Sequence, residues 1–378
     1  QIDLSRVAFA IQIPDDSLRL STYIGKAGLA DGIADLGSAR YSASRFLLSE
    51  SSLSYDGGNS DPTPRFDPTH IALSDVNIQI DSLLYGDRNI HARLKEFSAH
   101  DRSGLTISSL TGNISCDSAM IQVPELLLQT PYSEIRLLAT VPWSSFDDTP
   151  SGTLRTLLTA TVGKEDVFLF ADPLPQEFKQ AYPQKDISLT AGVEGNLAAL
   201  RLRQLKGRLP GVFDLNITGE IKNIPDSIHR SGKFQLEAQT GNLDFVLNTL
   251  PEPERSRYNL PSMKLKGEVA LQNQEYQANL LLTQSEGKIE LTARYNPAQE
   301  SYLADLKIDS LKPTDFLPQD SLYHLTASIR AVGKGYDPFR ISTWAKLNGN
   351  ITNIEYGTYA VSDVKMDGSL EKSLLKFD

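Results

Sequence analysis

The sequence has little of what would mark a disulfide-stapled, nucleic-acid-binding or membrane-spanning protein. Its single cysteine, Cys116, excludes an intrachain disulfide and leaves the redox compartment open. It has no block of lysine or arginine, and a formal net charge of -10 argues against a nucleic-acid partner, whose phosphates need a concentrated basic surface. No apolar run approaches the roughly 18 to 20 residues that span a bilayer, so the sequence indicates a soluble chain.

Catalytic and metal-binding motifs are also lacking. The sequence has no G-x-S-x-G elbow, no P-loop and no G-x-G-x-x-G after a strand, and its five histidines show no metal-ligand spacing. Asp61 and Asp67 flank prolines in one loop and Asp147 and Asp148 lie in another, without the alternating spacing of a calcium loop. Cys116 shares its strand parity with apolar residues and is predicted to be a small buried side chain. We therefore predict no enzymatic activity, no cofactor and no metal.

What fills the sequence is an alternation of apolar and polar residues. Because strand side chains point alternately to two faces, such runs predict β-strands with one apolar face. Ile289, Leu291, Ala293 and Tyr295 are predicted to pair with Tyr302, Ala304, Leu306 and Ile308, and short turn-rich pieces separate the other runs. The sequence predicts an all-β fold, an elongated, curled antiparallel sheet that forms a hydrophobic groove, with a few short helices.

A five-residue piece of the form apolar-x-Gly-polar-apolar recurs within this alternation. In each piece the glycine lies on the face of its apolar neighbours and removes a side chain from that face. The glycines either deepen an apolar trough or permit bends in a closed sandwich core. The seven pieces are centred on Gly112, Gly195, Gly207, Gly219, Gly267, Gly349 and Gly368.

Helical periodicity is confined to a few segments. The clearest predicted helix runs from residue 243 to 250, with Asn242 as its N-cap and Pro251 as its stop. Shorter helical segments are predicted at 173–182 and 313–317, and all three are expected to cover an end or edge of the sheet. The side chains expected to pack the first helix against the sheet are Leu243, Val246, Leu247 and Leu250.

The strand pattern resumes after each loop, which favours one continuous array over unrelated domains. Two loops rich in glycine and proline, at 57–69 and 142–152, mark approximate boundaries between parts of the chain. We divide the chain into three parts. Residues 1–165 are predicted to form β-groove repeats with loop insertions. Residues 166–262 are predicted to form β repeats with short helices, and residues 263–378 further β-groove repeats. Since Leu374 to Asp378 reads as another strand, we expect a segment of a longer protein, with any signal peptide or membrane anchor outside it.

Several phrases of the sequence resemble a known family. They are Pro251 to Arg257 with Tyr258 to Gly267, then Asp315 to Leu322, and later His324 to Ser328 and Gly335 to Phe339. These phrases, set in the long strand pattern, are similar to the middle region of TamB proteins, the AsmA-like translocation and assembly module family. The resemblance covers most of the chain and includes no catalytic motif.

The resemblance implies both a location and a function. TamB-like proteins are anchored in the inner membrane and extend through the periplasm as a long curled sheet with a hydrophobic groove, the β-taco. The family is implicated in outer-membrane biogenesis, in assembling β-barrel proteins with a TamA-type outer-membrane partner and in moving phospholipid between membranes. The anchor and the partner-binding end of such a protein lie outside this sequence.

Strand parity supplies candidate groove residues independently of the resemblance. An apolar sheet face must be covered by a second sheet, by its own curled continuation or by a ligand. In the last case phospholipid acyl chains are the expected partner, because each buried methylene contributes about 0.8 kcal/mol. Two alternatives stay open, a structural or adhesive β-rod with a closed core and a carbohydrate-active enzyme on an elongated β scaffold. The candidate groove residues are Leu265, Gly267, Val269, Leu280, Leu282, Ile289, Leu291, Leu306 and Ile308.

Overall fold

The computed structural model describes residues 2–13, 18–57, 61–86, 89–171 and 174–377. The fold is all-β, with 23 strands, three short α-helices and three 3₁₀ helices in the described part of the chain. The chain divides into two compact units, and each is described by itself. Unit 1 comprises Gln1–Pro173 with Pro183–Asn196, and unit 2 comprises Leu174–Tyr182 with Leu197–Asp378.

Unit 1 contains twelve strands and one helix. Its strands pair antiparallel in the order β1, β2, β4, β5, β6, β8, β9, β10, β11, β12, with β3 beside β4 and β7 beside β6. The strands are β1 Ile2–Ile13, β2 Leu18–Ala30, β3 Ile33–Asp35, β4 Arg40–Gly57, β5 His70–Gly86, β6 Asn89–Asp101, β7 Thr106–Ile107, β8 Ser109–Cys116, β9 Met120–Gln129, β10 Glu134–Pro142, β11 Leu154–Val162 and β12 Ile187–Gly195. A 3₁₀ helix spans Trp143–Ser145, and helix α1 spans Lys164–Phe170.

Unit 2 is an up-and-down meander, in which each strand pairs antiparallel with the next strand along the chain. Its strands are β13 Ala199–Leu209, β14 Phe213–Lys222, β15 Ser231–Thr240, β16 Lys264–Gln272, β17 Glu275–Gln284, β18 Gly287–Asn296, β19 Ser301–Leu311, β20 Leu322–Lys334, β21 Trp344–Tyr356, β22 Tyr359–Glu371 and β23 Leu374–Phe377. Helices α2 Gln176–Ala181 and α3 Asp244–Leu247 and 3₁₀ helices Arg255–Arg257 and Pro313–Asp315 complete it.

The predicted antiparallel pairing is confirmed in register. Ile289 lies opposite Ile308, Leu291 opposite Leu306, and Tyr295 opposite Tyr302. Short connections such as the two residues between β16 and β17 force neighbouring strands to be antiparallel, and the period of two then fixes which residues share a face. The all-β, elongated antiparallel sheet predicted from the sequence is therefore the observed fold, and the sheet is open.

The helices are shorter than the sequence predicted. Helix α3 covers four residues instead of the eight predicted from 243 to 250, and the chain continues to Leu250 through i to i+3 hydrogen bonds. Asn242 still accepts the Asp244 N–H through its side chain, at 2.9 Å. Helix α2 lies within the segment predicted at 173–182, of which residue 173 is outside the described residues, whereas α1 was not predicted. Within the described residues, no helix is long and apolar enough to span a bilayer.

An aromatic cluster joins α2 and α3, and its central residue was not part of the predicted packing face. The ring of Phe245 lies 5.3 Å from that of Phe178 and 5.4 Å, edge-on, from that of Tyr182. Tyr182 is only 7% exposed, and burial raises the pKa of its phenol. Aromatic pairs at these distances stabilise beyond the area they bury, so Phe245 is the side chain that fixes α3.

We expect Phe245→Ala to lower the free energy of unfolding of unit 2 by about 1 to 2 kcal/mol, since a half-buried ring and two aromatic contacts are lost. Leu247→Ala is the matched control in the same helix and should cost less. The comparison is made by urea unfolding followed by circular dichroism. Equal losses for the two variants would contradict the role given to Phe245.

The buried core is thin for a chain of this size. A compact monomer of 41.7 kDa exposes on the order of 15,000 Å², and two separate halves on the order of 18,000 Å². This chain exposes 22867 Å². The apolar sheet faces are therefore not covered as they would be in a packed sandwich. The buried apolar side chains of the described residues are Ala43, Val76, Ala99, Val123, Ala160, Tyr182, Leu209, Val212 and Ala327.

Candidate functional site

Uninterrupted rows of apolar residues cross unit 2 from strand to strand, and we label three adjacent rows A, B and C. Neighbours in each row lie directly opposite one another in the register of adjacent strands. Row A is Leu202, Gly219, Phe234, Val269, Ala278, Ala293, Ala304, Ala331, Leu347, Gly368 and Phe377. Row B is Leu205, Ile217, Leu236, Gly267, Leu280, Leu291, Leu306, Ile329, Gly349 and Met366. Row C is Gly207, Leu215, Ala238, Leu265, Leu282, Ile289, Ile308, Ala327, Ile351 and Val364.

The nine candidate groove residues all fall in these rows. Val269 lies in row A, Gly267, Leu280, Leu291 and Leu306 lie in row B, and the remaining four lie in row C. The sheet therefore brings them onto one face, in four adjacent strands. All nine are half-buried, and none is buried as it would be beneath a second layer.

Coverage differs between the two faces of the sheet. Along β18 the apolar residues Ile289, Leu291 and Ala293 are half-buried, while the polar residues between them, such as Glu290 and Thr292, are exposed. Ten strands at about 4.8 Å and three rows at about 7 Å give the apolar face roughly 600 Å², before the width of the outer side chains is added. A contiguous apolar surface of that size marks a binding surface.

The glycines of this face are covered by their neighbours, which corrects one expectation. A Cβ on Gly267 would lie 2.2 Å from the carbonyl oxygen of Asn279 and 2.8 Å from the Cδ2 atom of Leu280. A Cβ on Gly219 would lie 2.5 Å from the ring of Phe234. At these positions glycine permits a close approach of the paired strand, and a large side chain lies over it, so glycine does not leave an open slot for a ligand.

Two cavities of unit 2 lie on the opposite, polar face. A cavity of about 610 Å³ is bordered by Asp305, Arg330 and Asn348, which share one cross-strand row, and by Lys307 and Lys365 in the next row. A second cavity, of about 420 Å³, lies among Asn216, Glu237, Lys266 and other polar residues. Charged and amide side chains do not suit acyl chains, so the apolar face is the surface relevant to an apolar ligand.

The strand ends beyond row C differ from the strand ends beyond row A. At the row C end, the buried Gln284 donates to the Asp315 carboxylate at 2.8 Å, which ties the 3₁₀ helix Pro313–Asp315 to the β17–β18 hairpin. Asn259 donates from its backbone to Phe316 and from its side chain to the Asp315 carbonyl, both at 2.8 Å. This segment was predicted to cover the sheet, and it packs at the end of the strands.

At the row A end lies a row of tyrosines that the sequence prediction missed. Tyr276, Tyr295 and Tyr302 are opposite one another in β17, β18 and β19, two residues beyond row A and on the same face. Tyr336, from the loop after β20, stacks on Tyr302 with ring centroids 6.2 Å apart. The signal was present in the sequence, because the predicted hairpin register already places Tyr295 opposite Tyr302.

Unit 1 carries an apolar row of its own. The row crosses ten strands without a polar residue, and paired neighbours define it as in unit 2. Its members are Ile2, Leu29, Phe46, Ile80, Leu94, Gly112, Leu126, Leu137, Leu158 and Ala191. A separate cavity of about 780 Å³ in this unit is bordered mainly by alanine, serine and threonine, with Phe9, Tyr23 and Arg102 among its larger neighbours.

The polar residues of unit 1 that resemble functional groups are engaged in turns. Asp67 accepts from the Thr69 hydroxyl at 2.6 Å and lies 3.2 Å from the Nδ1 atom of His70, and these hydrogen bonds, led by that of Thr69, hold the Asp67 pKa well below its usual range. The buried Asp166 accepts from the hydroxyls of Thr130 and Ser133, both at 2.5 Å, which joins α1 to the β9–β10 hairpin. In the part of the chain that the structure describes, no group of three or more His, Cys, Asp or Glu could hold a metal ion.

Comparisons of the chain with protein-family models, with curated proteins and with solved structures found no match.

Proposed function

We propose that the apolar face of unit 2 binds the acyl chains of phospholipid and shields them from water during movement between membranes. The observation that carries this proposal is the set of rows A, B and C, which are apolar throughout, cross ten strands and are covered by no second layer in the described residues. This apolar face is our candidate for the hydrophobic surface that the sequence predicts.

The energetics support an acyl-chain ligand. Each methylene moved from water onto an apolar surface contributes about 0.8 kcal/mol, so a chain in contact along its length gains several kcal/mol toward the cost of leaving a membrane. A flat aliphatic surface without hydrogen-bonding groups discriminates poorly between chains of different length or unsaturation. We therefore expect binding to tolerate varied acyl chains.

The resemblance to TamB supports a wider setting for this activity. In that setting the chain is a periplasmic segment of an inner-membrane-anchored protein that acts in outer-membrane biogenesis. Phospholipid transport, assistance to outer-membrane protein assembly, or both would then be the biological role. A TamA-type outer-membrane barrel would be engaged through regions outside this sequence.

The proposal is tested by mass spectrometry of organic extracts. We expect the chain, purified without detergent from a diderm bacterium, to carry near-stoichiometric phospholipid, because the exposed rows gain contacts with acyl chains. The same chain stripped of lipid by extraction and refolding is the control, and it should regain lipid from phospholipid vesicles. A folded chain that carries no lipid and takes none up would contradict the proposal and would favour the structural rod.

A further inference from the structure

The tyrosine row, defined as Tyr276, Tyr295 and Tyr302 together with Tyr336, is the strongest feature that the proposed function leaves unused. Tyr276 and Tyr336 are 47% and 60% exposed, although each stacks against another ring. Tyr295 and Tyr302 beside them are half-buried, and an exposed apolar cluster of this kind marks a binding surface.

The rings form one continuous platform. The rings of Tyr276 and Tyr295 are stacked 6.3 Å apart, and Tyr336 contacts both Tyr295, at 5.9 Å, and Tyr302, at 6.2 Å. The position opposite Tyr302 is Gly333, and a Cβ there would lie 2.4 Å from the Tyr302 hydroxyl oxygen. The absence of a side chain at Gly333 thus makes room for the platform.

The platform stands at the boundary between the apolar rows and the charged turns. On its inner side lies row A, represented by Ala278, Ala293 and Ala304. On its outer side, the guanidinium of Arg340 lies 3.3 Å from the carboxylate of Glu300. Tyrosine has an apolar ring and a polar hydroxyl, and for that reason it concentrates where hydrocarbon meets water in membranes.

The distance from the tyrosines to row C is somewhat greater than the length of an acyl chain in a bilayer. Tyr295 and Ile289 are six residues apart on β18, which is about 20 Å along a strand. One leaflet contributes about half of a 30 Å hydrocarbon core, so an acyl chain is about 15 Å long in a bilayer. A chain that starts at the tyrosines and runs along the strands therefore crosses row A, passes row B at about 13 Å and ends between rows B and C.

We propose that the tyrosine row binds the glycerol-ester and headgroup region of a phospholipid whose acyl chains lie over rows A, B and C, with their methyl ends toward the 3₁₀ helix Pro313–Asp315. This inference rests on the proposed function, and it adds the orientation of the lipid and the residues that hold its polar end. The phenol hydroxyls donate to ester and phosphate oxygens.

Photo-crosslinking with two phosphatidylethanolamine probes tests the orientation in the 378-residue chain. One probe carries a diazirine on the headgroup and the other carries it at the end of an acyl chain. We expect headgroup adducts to map to the tyrosine row and chain-end adducts to map to rows B and C. Adducts of both probes spread evenly over the rows, or the reverse polarity, would overturn this inference while leaving acyl-chain binding intact. The absence of adducts from both probes would overturn the inference and the proposed function together.

A set of conservative variants separates the hydroxyls from the rings. Tyr276→Phe, Tyr295→Phe and Tyr336→Phe keep the stacking, and each lost hydroxyl should weaken binding of the headgroup probe about fivefold. Tyr323→Phe is the matched control, because Tyr323 is a similarly exposed tyrosine on β20 outside the row. Unchanged affinity in all three variants, with folding verified by circular dichroism, would overturn the role of the hydroxyls. Weaker binding by the three variants, with unchanged binding by Tyr323→Phe, would support that role.

Discussion

Replacing Leu291 by arginine should abolish acyl-chain binding and leave the sheet folded. Leu291 lies in the middle of row B, between Leu280 on one neighbouring strand and Leu306 on the other. Because no second layer of described residues covers the row, a long arginine side chain can extend its guanidinium to water at little cost to folding. Under a bound acyl chain the same guanidinium would lose its hydration, and we expect affinity for a phospholipid probe to fall at least about 100-fold.

The control for this experiment is the next residue of the same strand. Thr292 points to the opposite, polar face and is exposed, so Thr292→Arg adds the same charge one position away. We expect that variant to bind lipid like the parent. Circular dichroism and a fluorescent phospholipid titration measure the two properties separately. If Leu291→Arg unfolds the chain, the row is enclosed and the closed β-rod is the better description; if it binds lipid normally, row B is not the lipid surface.

The sequence predicted the strands of unit 2 and their faces because the information needed there is local. Turns of two residues, such as Asn273–Gln274 and Ser285–Glu286, leave one way for the adjacent strands to pair. Once that register is set, parity alone places Leu282 opposite Ile289 and Leu280 opposite Leu291. From β16 to β19 the apolar rows follow from the sequence without any knowledge of long-range structure, whereas a bulge in β13 sets Leu202 of row A and Leu205 of row B three residues apart.

In unit 1 parity is less informative, because β-bulges change it within a strand. Glu50 and Asp75 have positive φ values of 52° and 51°, and the register between β4 and β5 shifts around Ser51. Each bulge adds one residue to one strand and moves the following side chains to the other face. A bulge depends on both paired strands, so a single run of alternating residues does not predict it.

The helices show a different limit of local reasoning. The pattern from 243 to 250 has helical spacing, but a segment of eight residues before a proline gains too few hydrogen bonds to repay helix nucleation. The structure keeps one turn and continues in i to i+3 bonds. What fixes that turn is the contact of Phe245 with α2, a tertiary contact that periodicity does not contain.

The covering of the glycines also depends on register, which is why the sequence alone left two interpretations open. The repeated pieces look alike, yet their surroundings differ strongly. A Cβ on Gly207 would meet the ring of Phe213 at an ordinary 3.6 Å, whereas a Cβ on Gly267 would enter the backbone of β17. The same motif thus includes glycines that the fold requires and glycines that it merely tolerates.

This difference yields a stability prediction for two substitutions in equivalent pieces. Gly267→Ala should lower the free energy of unfolding by about 3 kcal/mol, because the new methyl group would lie 2.2 Å from the Asn279 carbonyl oxygen and the paired strands would have to separate. Gly207→Ala should be neutral or slightly stabilising, since its methyl group has room and alanine restricts the unfolded chain. Chemical denaturation of the two variants measures the difference. Similar stabilities would show that β16 and β17 relax without cost, and the close approach at Gly267 would then have no structural importance. A loss confined to Gly267→Ala would show that the absence of a side chain at Gly267 is what allows Leu280 to lie over it.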